Sequence, residues 1–427
     1  MKVTEISIEN FRGIDKLKIP INSPVTLFAG VNGSGKSTIL DALSLLLSWY
    51  PAFIRSEQGK GGEIKDEDVK NKTNFSSLEI QTQVNDNFFV SWKQVKTLKG
   101  RQKTEASRYI DLKSLTKNFQ EILSLYPESA SLPIVAHYPV NRAVIDIPVR
   151  IRKKHSFIDP ISAYEEAFSG AANFRLFFEW FREREDIENE MKVQSQISLN
   201  NEQNPPTDDI CLNAVREAIT RFTKFQNIRI QRRPPTRMVL EKDGEILSIN
   251  QLSDGEKCLL AMIGDLARRL AIANPSSSNP LEGEGVVIID EIELHLHPTW
   301  QRMVIPQLKV TFPNCQFIIS SHSPQVISHL NPGEIILLYR DEQNKIQITS
   351  PIESYGKNSD LILENIMGTS ARPLEVEEKL KKLFILIDEG KIDDAKVLLN
   401  DLHTMIGDDS DLINAEILIQ RKEILGK

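Results

Sequence analysis

Two short, continuous runs of apolar residues dominate the hydrophobic pattern in the second half of this chain. They are "VVIID" at residues 286–290 and "QFIIS" at residues 316–320. An uninterrupted apolar run bounded by turn residues is typical of a strand buried on both faces of a parallel sheet. Residues 3–9, 24–29 and 132–138 predict further strands. The pattern therefore indicates an α/β fold.

Other stretches alternate or repeat with different periods. A two-residue alternation predicts a hairpin over residues 77–95 and a second hairpin that turns at Asp243-Gly244. Helical spacing of apolar residues predicts helices over residues 36–47, from about 163 to 190, from 208 to 225, and from Ser253 onward. The polar run 193–209 between two of these segments contains two prolines and predicts a mobile connection.

The stretch "GVNGSGKST" at residues 30–38 lies between a predicted strand and a predicted helix, and it matches G-x-x-x-x-G-K-[ST]. Such a turn wraps phosphate groups with backbone N–H groups and the helix N-terminus. Lys36 is expected to reach the β and γ oxygens, and the Ser37 hydroxyl to coordinate Mg²⁺. The motif predicts that ATP is bound by Asn32, Gly33, Ser34, Gly35, Lys36, Ser37 and Thr38.

The two apolar runs supply the remaining catalytic candidates. Asp290 ends the first run and is expected to bind Mg²⁺, while Glu291 beside it is placed to polarise the attacking water. His322 follows the second run. Because ligands bind at the carboxyl ends of strands in α/β sheets, His322 is expected beside the γ-phosphate.

A helix start at "QLSDGEKCLLA" carries a further signal. Ser253 and Glu256 form a capping box, which requires neither Asp254 nor Gly255. The turn at residues 30–38, a P-loop, is followed along the chain by L-S-D-G-E, the acidic strand and the histidine. This order resembles that of the ABC-type ATPases, in which the signature that corresponds to L-S-D-G-E contacts the γ-phosphate bound by a second protomer. The resemblance implies a head-to-tail homodimer or higher oligomer in which Ser253, Gly255 and Glu256 act in trans. It also gives Gly255 a reason, the close approach of a backbone N–H to phosphate.

The opening "IENFRGI" narrows the branch. It resembles the SMC/RecF-like ATPases, in which the arginine that corresponds to Arg12 approaches the nucleotide phosphates. The resemblance implies an ABC-type P-loop ATPase head with an inserted helical lobe and a C-terminal helical tail. The expected regions are the N-terminal half of the core at 1–150, the lobe at 151–237, the C-terminal half of the core at 238–354 and the tail at 355–427.

A closer resemblance extends over most of the chain. "HYPVNRAVIDIP", "DEIELHLHPTWQ", "FPNCQFIISSHSPQVI" and "SYGKNSDLILENIMG" are similar to the PtuA ATPases of Septu and retron-linked anti-phage systems. The resemblance implies control of a separately encoded, PtuB-like HNH nuclease, which the tail would dock. A reverse transcriptase and its DNA or RNA product would be further partners. No glutamine stands at the Q-loop position of the class, for which Tyr138 and Asn141 are the candidates.

Composition and charge limit the function classes. The net charge of −7 differs from the strongly positive charge that is typical of obligate nucleic-acid-binding proteins. Basic clusters at 150–155 and 221–237 nevertheless leave nucleic-acid contact open. No run approaches eighteen apolar residues, so neither a membrane span nor a membrane partner is expected. The first residues alternate apolar and polar positions and lack the apolar block of a signal peptide, so we expect a cytoplasmic protein. The cysteines are scattered and predict reduced thiols.

The histidines give no sign of a nuclease. None of the seven lies in an H-N-H or other metal-nuclease pattern, and His295 and His297 are spaced so that they share no helix face. We therefore interpret "HLHP" as a structural or interface loop. Two alternatives to a nuclease-controlling ATPase stay open: a RecF-like DNA-repair clamp, and a nucleotide-locked scaffold with little hydrolysis.

Overall fold

A computed structural model gives the fold of residues 1–103, 105–142, 159–168, 174–197, 208–370 and 372–425. The chain divides into two compact units, Met1–Lys357 and Asn358–Lys427. The basic cluster at 150–155 lies outside the described residues, as does most of the predicted mobile connection at 193–209.

The described residues form thirteen strands. In chain order they are β1 Lys2–Phe11, β2 Ile14–Pro20, β3 Val25–Ala29, β4 Phe75–Asn85, β5 Phe88–Thr97, β6 Ile134–Tyr138, β7 Gln226–Gln231, β8 Arg237–Lys242, β9 Glu245–Ser248, β10 Gly285–Ile289, β11 Cys315–Ser320, β12 Ile335–Arg340 and β13 Ile346–Thr349.

Twelve α-helices occur in the same described ranges. They are α1 Lys36–Leu47, α2 Trp49–Arg55, α3 Ile110–Leu125, α4 Phe174–Ile197, α5 Ile210–Thr223, α6 Asp254–Ala273, α7 Pro298–Thr311, α8 Pro324–Ile327, α9 Ser359–Asn365, α10 Leu374–Asp388, α11 Ile392–Ile406 and α12 Ser410–Leu425. The mixed α/β class predicted from the sequence is therefore confirmed.

A six-stranded sheet forms the centre of the first unit, in the order β13-β12-β3-β11-β10-β6. All its neighbouring pairs are parallel except β12 with β13. Every residue of β3, β6, β10 and β11 is buried, which explains why these strands read as continuous apolar runs. The strands predicted at 24–29, 132–138, 286–290 and 316–320 are thus confirmed.

Two antiparallel sheets accompany the central one. The first has the order β2-β1-β4-β5 and contains the predicted hairpin of β4 and β5, whose turn is Asp86-Asn87. The second has the order β7-β8-β9 and contains the predicted turn at Asp243-Gly244. Asp243 and Gly244 both have positive φ, 53° and 83°, as a two-residue type I′ hairpin requires.

The predicted helices are confirmed in part. α1 matches residues 36–47. Of the helix expected from about 163 to 190, residues 163 and 164 belong instead to a 3₁₀ turn, Pro160–Tyr164, and α4 covers Phe174–Ile197. The range 151–237 also contains β7 in addition to helices, so the lobe predicted there is not purely helical. In β7, buried Ile228 and Ile230 alternate with exposed polar residues, a pattern that its arginines obscured.

The helix α6 has a buried charged cluster at its centre. The side chains of Asp265, Arg268 and Arg269 are almost completely buried. Arg268 Nη2 and Arg269 Nε each donate to the Asp265 carboxylate at 2.7 Å, and the Tyr138 hydroxyl donates to it at 2.8 Å. Burial opposes the charge of Asp265, but the two guanidinium groups outweigh it and hold the pKa of this carboxyl below its usual value.

The stretch Lys36–Arg55, which α1 and α2 cover, could cross a membrane by length and composition alone. In this fold 61% of that window is buried. α1 contacts β10 and β11 of the central sheet, as the core helix of a globular unit does.

The second unit is a helical bundle with its own core. Leu383, Leu402, Leu412 and Ala415 of α10, α11 and α12 are fully buried in it. The tail predicted from residue 355 is thus helical, as expected, and contains α9 to α12.

Candidate functional site

The P-loop joins β3 to α1 at the carboxyl edge of the central sheet. Gly35 is the N-cap of α1 and has a left-handed φ of 106°, which side chains rarely adopt. A Cβ atom at Gly35 would also lie 2.9 Å from Ile346 Cδ1 of β13. Glycine at this position therefore follows both from the turn and from the strand packed against it.

Lys36 lies beneath the loop, with 5% of its surface exposed. Its ammonium donates to the carbonyl oxygens of Gly30 at 2.9 Å and Val31 at 3.1 Å. Burial lowers the pKa of Lys36 to about 8, and the nearby carboxylates, led by that of Glu291, oppose this shift only in part. The lysine is thus a desolvated cation that an incoming anion would stabilise.

The remaining predicted P-loop residues differ in exposure. Asn32, Gly33 and Ser37 are exposed, Thr38 is half-buried, and Ser34 is buried. Among the described residues, the Ser34 hydroxyl has no hydrogen-bond partner. Ser37 and Thr38 stand in the first turn of α1, where backbone N–H groups are free to bind an anion.

The acidic pair follows β10, two strands away from the P-loop strand. The Ser320 hydroxyl at the end of β11 donates to one carboxylate oxygen of Asp290, and the Glu291 N–H donates to the same hydroxyl at 2.8 Å. Glu291 has a φ of 44°, an uncommon value for a residue with a side chain. The two acids are therefore held in a specific turn.

His322 lies just beyond β11, close to the acidic turn. Its backbone N–H donates to a carboxylate oxygen of Glu293. Burial lowers the pKa of the His322 ring, and the positive charge of Lys36 lowers it further. The structure thus brings Lys36, Asp290, Glu291 and His322 together at one edge of the sheet, as the sequence predicted.

Arg12 lies near the helix of the P-loop and contacts its side. Its guanidinium donates to Asp41 of α1 at 2.5 Å and to Asp68 at 2.8 Å. Asp41 lies in the second turn of α1, beyond Lys36. Contact between Arg12 and a nucleotide stays a prediction.

The signature residues begin α6, as predicted. Ser253 caps the helix, and its own N–H and hydroxyl donate to Glu256 at 2.8 Å. Lys242 donates to the second carboxylate oxygen of Glu256 at 2.6 Å. Among the contacts of the described residues, no hydrogen bond or ion pair joins Ser253, Gly255 or Glu256 to the P-loop.

Gly255 has a reason within the chain itself. A Cβ atom at this position would lie 2.2 Å from the backbone carbonyl oxygen of His295, a distance that no side chain tolerates. His295 has a φ of 66° and belongs to the "HLHP" loop before α7. This loop packs against the first turn of α6, so contact with a phosphate is not needed to explain the glycine.

Sequence reasoning missed three residues of the site. Arg340, at the end of β12, donates to the carbonyl oxygen of Gly33 at 3.2 Å. Arg142, after β6, donates to the carbonyl oxygens of Asp290 and Glu291. Glu293 lies between the acidic turn and His322, and burial raises the pKa of its carboxyl. β12 had not been predicted, and the burial of Arg142 and Glu293 leaves no local signal in the sequence.

Tyr138 and Asn141, the two candidates for the Q-loop position, lie in different environments. The Tyr138 hydroxyl points into the core and donates to Asp265 of α6. Asn141 is exposed in the turn that follows β6. Neither contacts the acidic turn by a side-chain hydrogen bond in the described part of the chain, where Arg142 does.

Comparisons with known proteins identify relatives of this chain. Residues 25–328 match the family described as "AAA domain, putative AbiEii toxin, Type IV TA system". The chain is 32% identical to the Retron Vc95 probable ATPase of Vibrio cholerae, over 92% of this chain and 85% of that protein. It is 30% identical to the Retron Ec83 probable ATPase of Escherichia coli, over 99% and 87%.

More distant similarities extend to a second named group and to solved structures. The Septu protein PtuA of Bacillus thuringiensis is 24% identical over 86% of this chain and 84% of its own length. The SMC head bound to the C-terminal winged-helix domain of ScpA matches with a TM-score of 0.48 and 15% identity, over 82% of this chain and 97% of that chain.

Replacing Gly255 by alanine tests its packing against His295. We expect Gly255→Ala to lower the free energy of unfolding by about 1–3 kcal/mol without nucleotide, because a methyl group must displace a backbone carbonyl. Urea denaturation measures this. The matched control is Gly333→Ala, since a Cβ atom at Gly333 meets nothing within 4 Å. An unchanged stability of Gly255→Ala together with a loss of ATP-dependent activity would favour phosphate approach as the sole reason for glycine.

The lowered pKa of Lys36 predicts that ATP binding takes up protons. At pH 8 a lysine with a pKa of about 8 is half neutral, whereas the phosphate-bound lysine is charged, so binding should take up about half a proton. The affinity should fall as the pH rises above 8. Titration calorimetry in buffers with different ionisation enthalpies measures the uptake, and His322→Asn should retain it at pH 8. A binding enthalpy that is independent of the buffer would contradict this assignment.

Proposed function

This chain belongs to the family of the Retron Vc95 and Retron Ec83 probable ATPases, and it contains the AAA domain that it matches. On that premise we propose that it is a cytoplasmic, Mg²⁺-dependent ATPase switch of an anti-phage defence system. ATP binding would close a complex that contains a partner nuclease, and hydrolysis or loss of nucleotide would release it. The enzyme activity is that of the family; the partner and the switching are our proposal.

The residues present fit a magnesium ion. The Ser37 hydroxyl is exposed in the first turn of α1. One carboxylate oxygen of Asp290 accepts from Ser320, and the other accepts no hydrogen bond from the residues that the structure describes. Mg²⁺ is commonly bound by one or two protein oxygens together with substrate phosphates. Ser37 and Asp290 would hold the ion, which would neutralise charge on the β- and γ-phosphates.

The protein groups have distinct roles in hydrolysis. Lys36 would bind the β/γ oxygens, and the N–H groups of residues 32–38 would surround the phosphates. Glu291 would orient the attacking water and accept its proton, and His322 would contact the γ-phosphate. The observation that best supports this assignment is the convergence of Lys36, Asp290, Glu291 and His322 at the ends of three parallel strands.

The signature would complete the site of a second protomer. Ser253 and Gly255 stand at the N-terminus of α6, a 20-residue helix whose first N–H groups favour an anion. In a head-to-tail homodimer this end would approach the γ-phosphate held by the partner's P-loop. The contact between Gly255 and His295 would then serve to position the signature.

The partner that we propose is an HNH nuclease, with a reverse transcriptase and its DNA or RNA product in a retron-type assembly. The names of the retron and Septu relatives support a defence role. The RecF-like alternative has weaker support, because the basic run 221–237 is partly neutralised. Arg221 pairs with Glu217, and Arg232 pairs with Glu185 and Asp186.

The second unit offers an apolar surface for such a partner. Ile413, Ile417 and Ile424 of α12 are 50%, 56% and 83% exposed, at spacings that place them along one side of the helix. A contiguous exposed apolar patch is typical of a protein-binding surface, and these three side chains are the candidate for one on α12. We define this row as the α12 surface.

The first test distinguishes the role of Glu291 from that of Glu293. We expect Glu291→Gln to bind ATP, to lower kcat at least about 100-fold and to accumulate a nucleotide-bridged dimer, because the amide keeps the size of the carboxylate and cannot act as a base. Steady-state hydrolysis and size-exclusion chromatography measure these effects. Glu293→Gln is the control and should lose much less activity. Native turnover of Glu291→Gln would rule out its role as the base.

Mixed dimers test the composite site. Lys36→Ala and Ser253→Arg should each abolish hydrolysis alone, since each removes one half of both sites. After subunit exchange the mixture should regain roughly a quarter of native activity, because half of a random mixture is heterodimer with one intact site of two. No recovery despite demonstrated exchange would exclude action in trans.

Co-purification with the products of neighbouring open reading frames tests whether the α12 surface binds the nuclease. A chain that ends at Lys357, and a full chain with Ile413→Glu and Ile417→Glu, should each lose the nuclease partner, because a charge in an apolar interface is costly. Ile352→Glu is the control, since Ile352 is 94% exposed and lies before the helical tail. Retention of the partner by both variants would place docking elsewhere, and nuclease activity of the pure chain would refute a separate nuclease.

A further inference from the structure

Arg142 lies four residues beyond the end of β6, next to the acidic turn. β6 is the parallel neighbour of β10, and Tyr138 pairs with Ile289 at their last residues. Both strands therefore leave the sheet at the same edge. The short segment after β6 passes the segment after β10, which carries Asp290 and Glu291, and this places the Arg142 side chain against their backbone.

The guanidinium of Arg142 binds the backbone of both acids. Nη1 donates to the carbonyl oxygen of Asp290, and Nη2 donates to that of Glu291 at 2.6 Å. Only 4% of Arg142 is exposed. A planar fork with several donors is suited to grip two neighbouring oxygens, and a lysine ammonium offers no such geometry.

The turn that Arg142 grips has an unusual backbone. Glu291 adopts a φ of 44°, a region that residues with side chains rarely occupy and that neighbouring groups must hold. Ser320 holds the turn from the side of β11, through the Glu291 N–H and the Asp290 carboxylate. Arg142 holds it from the side of β6, through the two carbonyl oxygens.

The buried arginines of α6 provide a useful contrast. Arg268 and Arg269 both bond to the Asp265 carboxylate inside the core, and Arg269 also donates to the carbonyl oxygens of Ala163 and Glu165. Within the described residues Arg142 donates to no carboxylate, and its hydrogen bonds all go to backbone oxygens, those of Asp290, Glu291 and Pro139. A desolvated cation is costly, and here it is placed where it fixes two acids of the site.

We infer that Arg142 is a positioning residue for ATP hydrolysis, which holds the Asp290–Glu291 turn in the conformation from which the Glu291 carboxylate acts on water. This inference rests on the proposed role of Glu291. Arg142 would touch neither the nucleotide nor the water. Its removal should therefore affect turnover much more than nucleotide binding.

Kinetics of Arg142→Gln provide the first test. Because misplacement of a catalytic group by about 1 Å can cost about 100-fold in rate, we expect kcat to fall about 100-fold while KM for ATP changes less than about threefold. Arg142→Lys should recover only part of the loss. Guanidinium ion at low millimolar concentration, unlike equal sodium chloride, should raise the rate of Arg142→Ala by filling the vacated space.

The control is Arg216→Gln. Arg216 is also partly buried, and it bonds to Glu185 and Glu188 of α4. Its loss should lower stability and leave kcat of the folded protein unchanged. Thermal melting of each variant separates a loss of folded protein from a loss of turnover. If Arg142→Gln keeps native kcat, or loses kcat only in proportion to unfolded protein, the inference is wrong.

A double-mutant cycle distinguishes this inference from the proposed function. In the Glu291→Gln background, Arg142→Gln should cause no further loss in single-turnover hydrolysis, because the group that it positions is already gone. Additive losses would overturn the positioning role. Native turnover of Glu291→Gln alone would refute the base assignment itself. A loss in Glu291→Gln without a loss in Arg142→Gln would refute only the role of Arg142.

Discussion

The parallel alignment of four buried strands is the constraint on which the rest of this structure depends. β3, β11, β10 and β6 are hydrogen-bonded neighbours that run in the same direction, so their carboxyl ends meet at one edge. Lys36, Asp290 and His322 lie far apart in the chain, yet each closely follows one of these strands. A shift in pairing by one residue would turn every side chain to the opposite face. The apolar packing of the strands therefore also fixes the geometry of the site.

Burial gives the charged groups of the site their sensitivity to a ligand. It lowers the pKa of Lys36 and raises that of Glu293, so both groups are pushed toward their neutral forms. A triphosphate beside Lys36 would stabilise its ammonium group and so oppose the first shift.

The sequence predicted those parts of the site whose physical cause is local. The P-loop has its glycines, lysine and flanking strand and helix in one stretch, and Ser253 with Glu256 forms a cap visible over four residues. The α/β class and the four buried strands followed from apolar runs. The reason for Gly255 could not be found in this way, because it is the carbonyl oxygen of His295, forty residues further on. Arg142 has no local pattern, since only the pairing of β6 with β10 brings it to the acids.

The charged cluster of Asp265, Arg268 and Arg269 has a consequence for how sequences of this kind can diverge. Each of the three side chains is buried and depends on the others, and Tyr138 completes the set from β6. Loss of Asp265 would leave two uncompensated arginines in the core, and breaking a buried pair in this way costs about 3–5 kcal/mol, a large part of the stability of about 5–15 kcal/mol that most proteins have. Replacement of Asp265 alone is therefore strongly disfavoured. Descendants of this chain should lose Asp265 only together with its arginine partners, so this part of the core would change by concerted substitution while the surrounding apolar positions exchange one at a time.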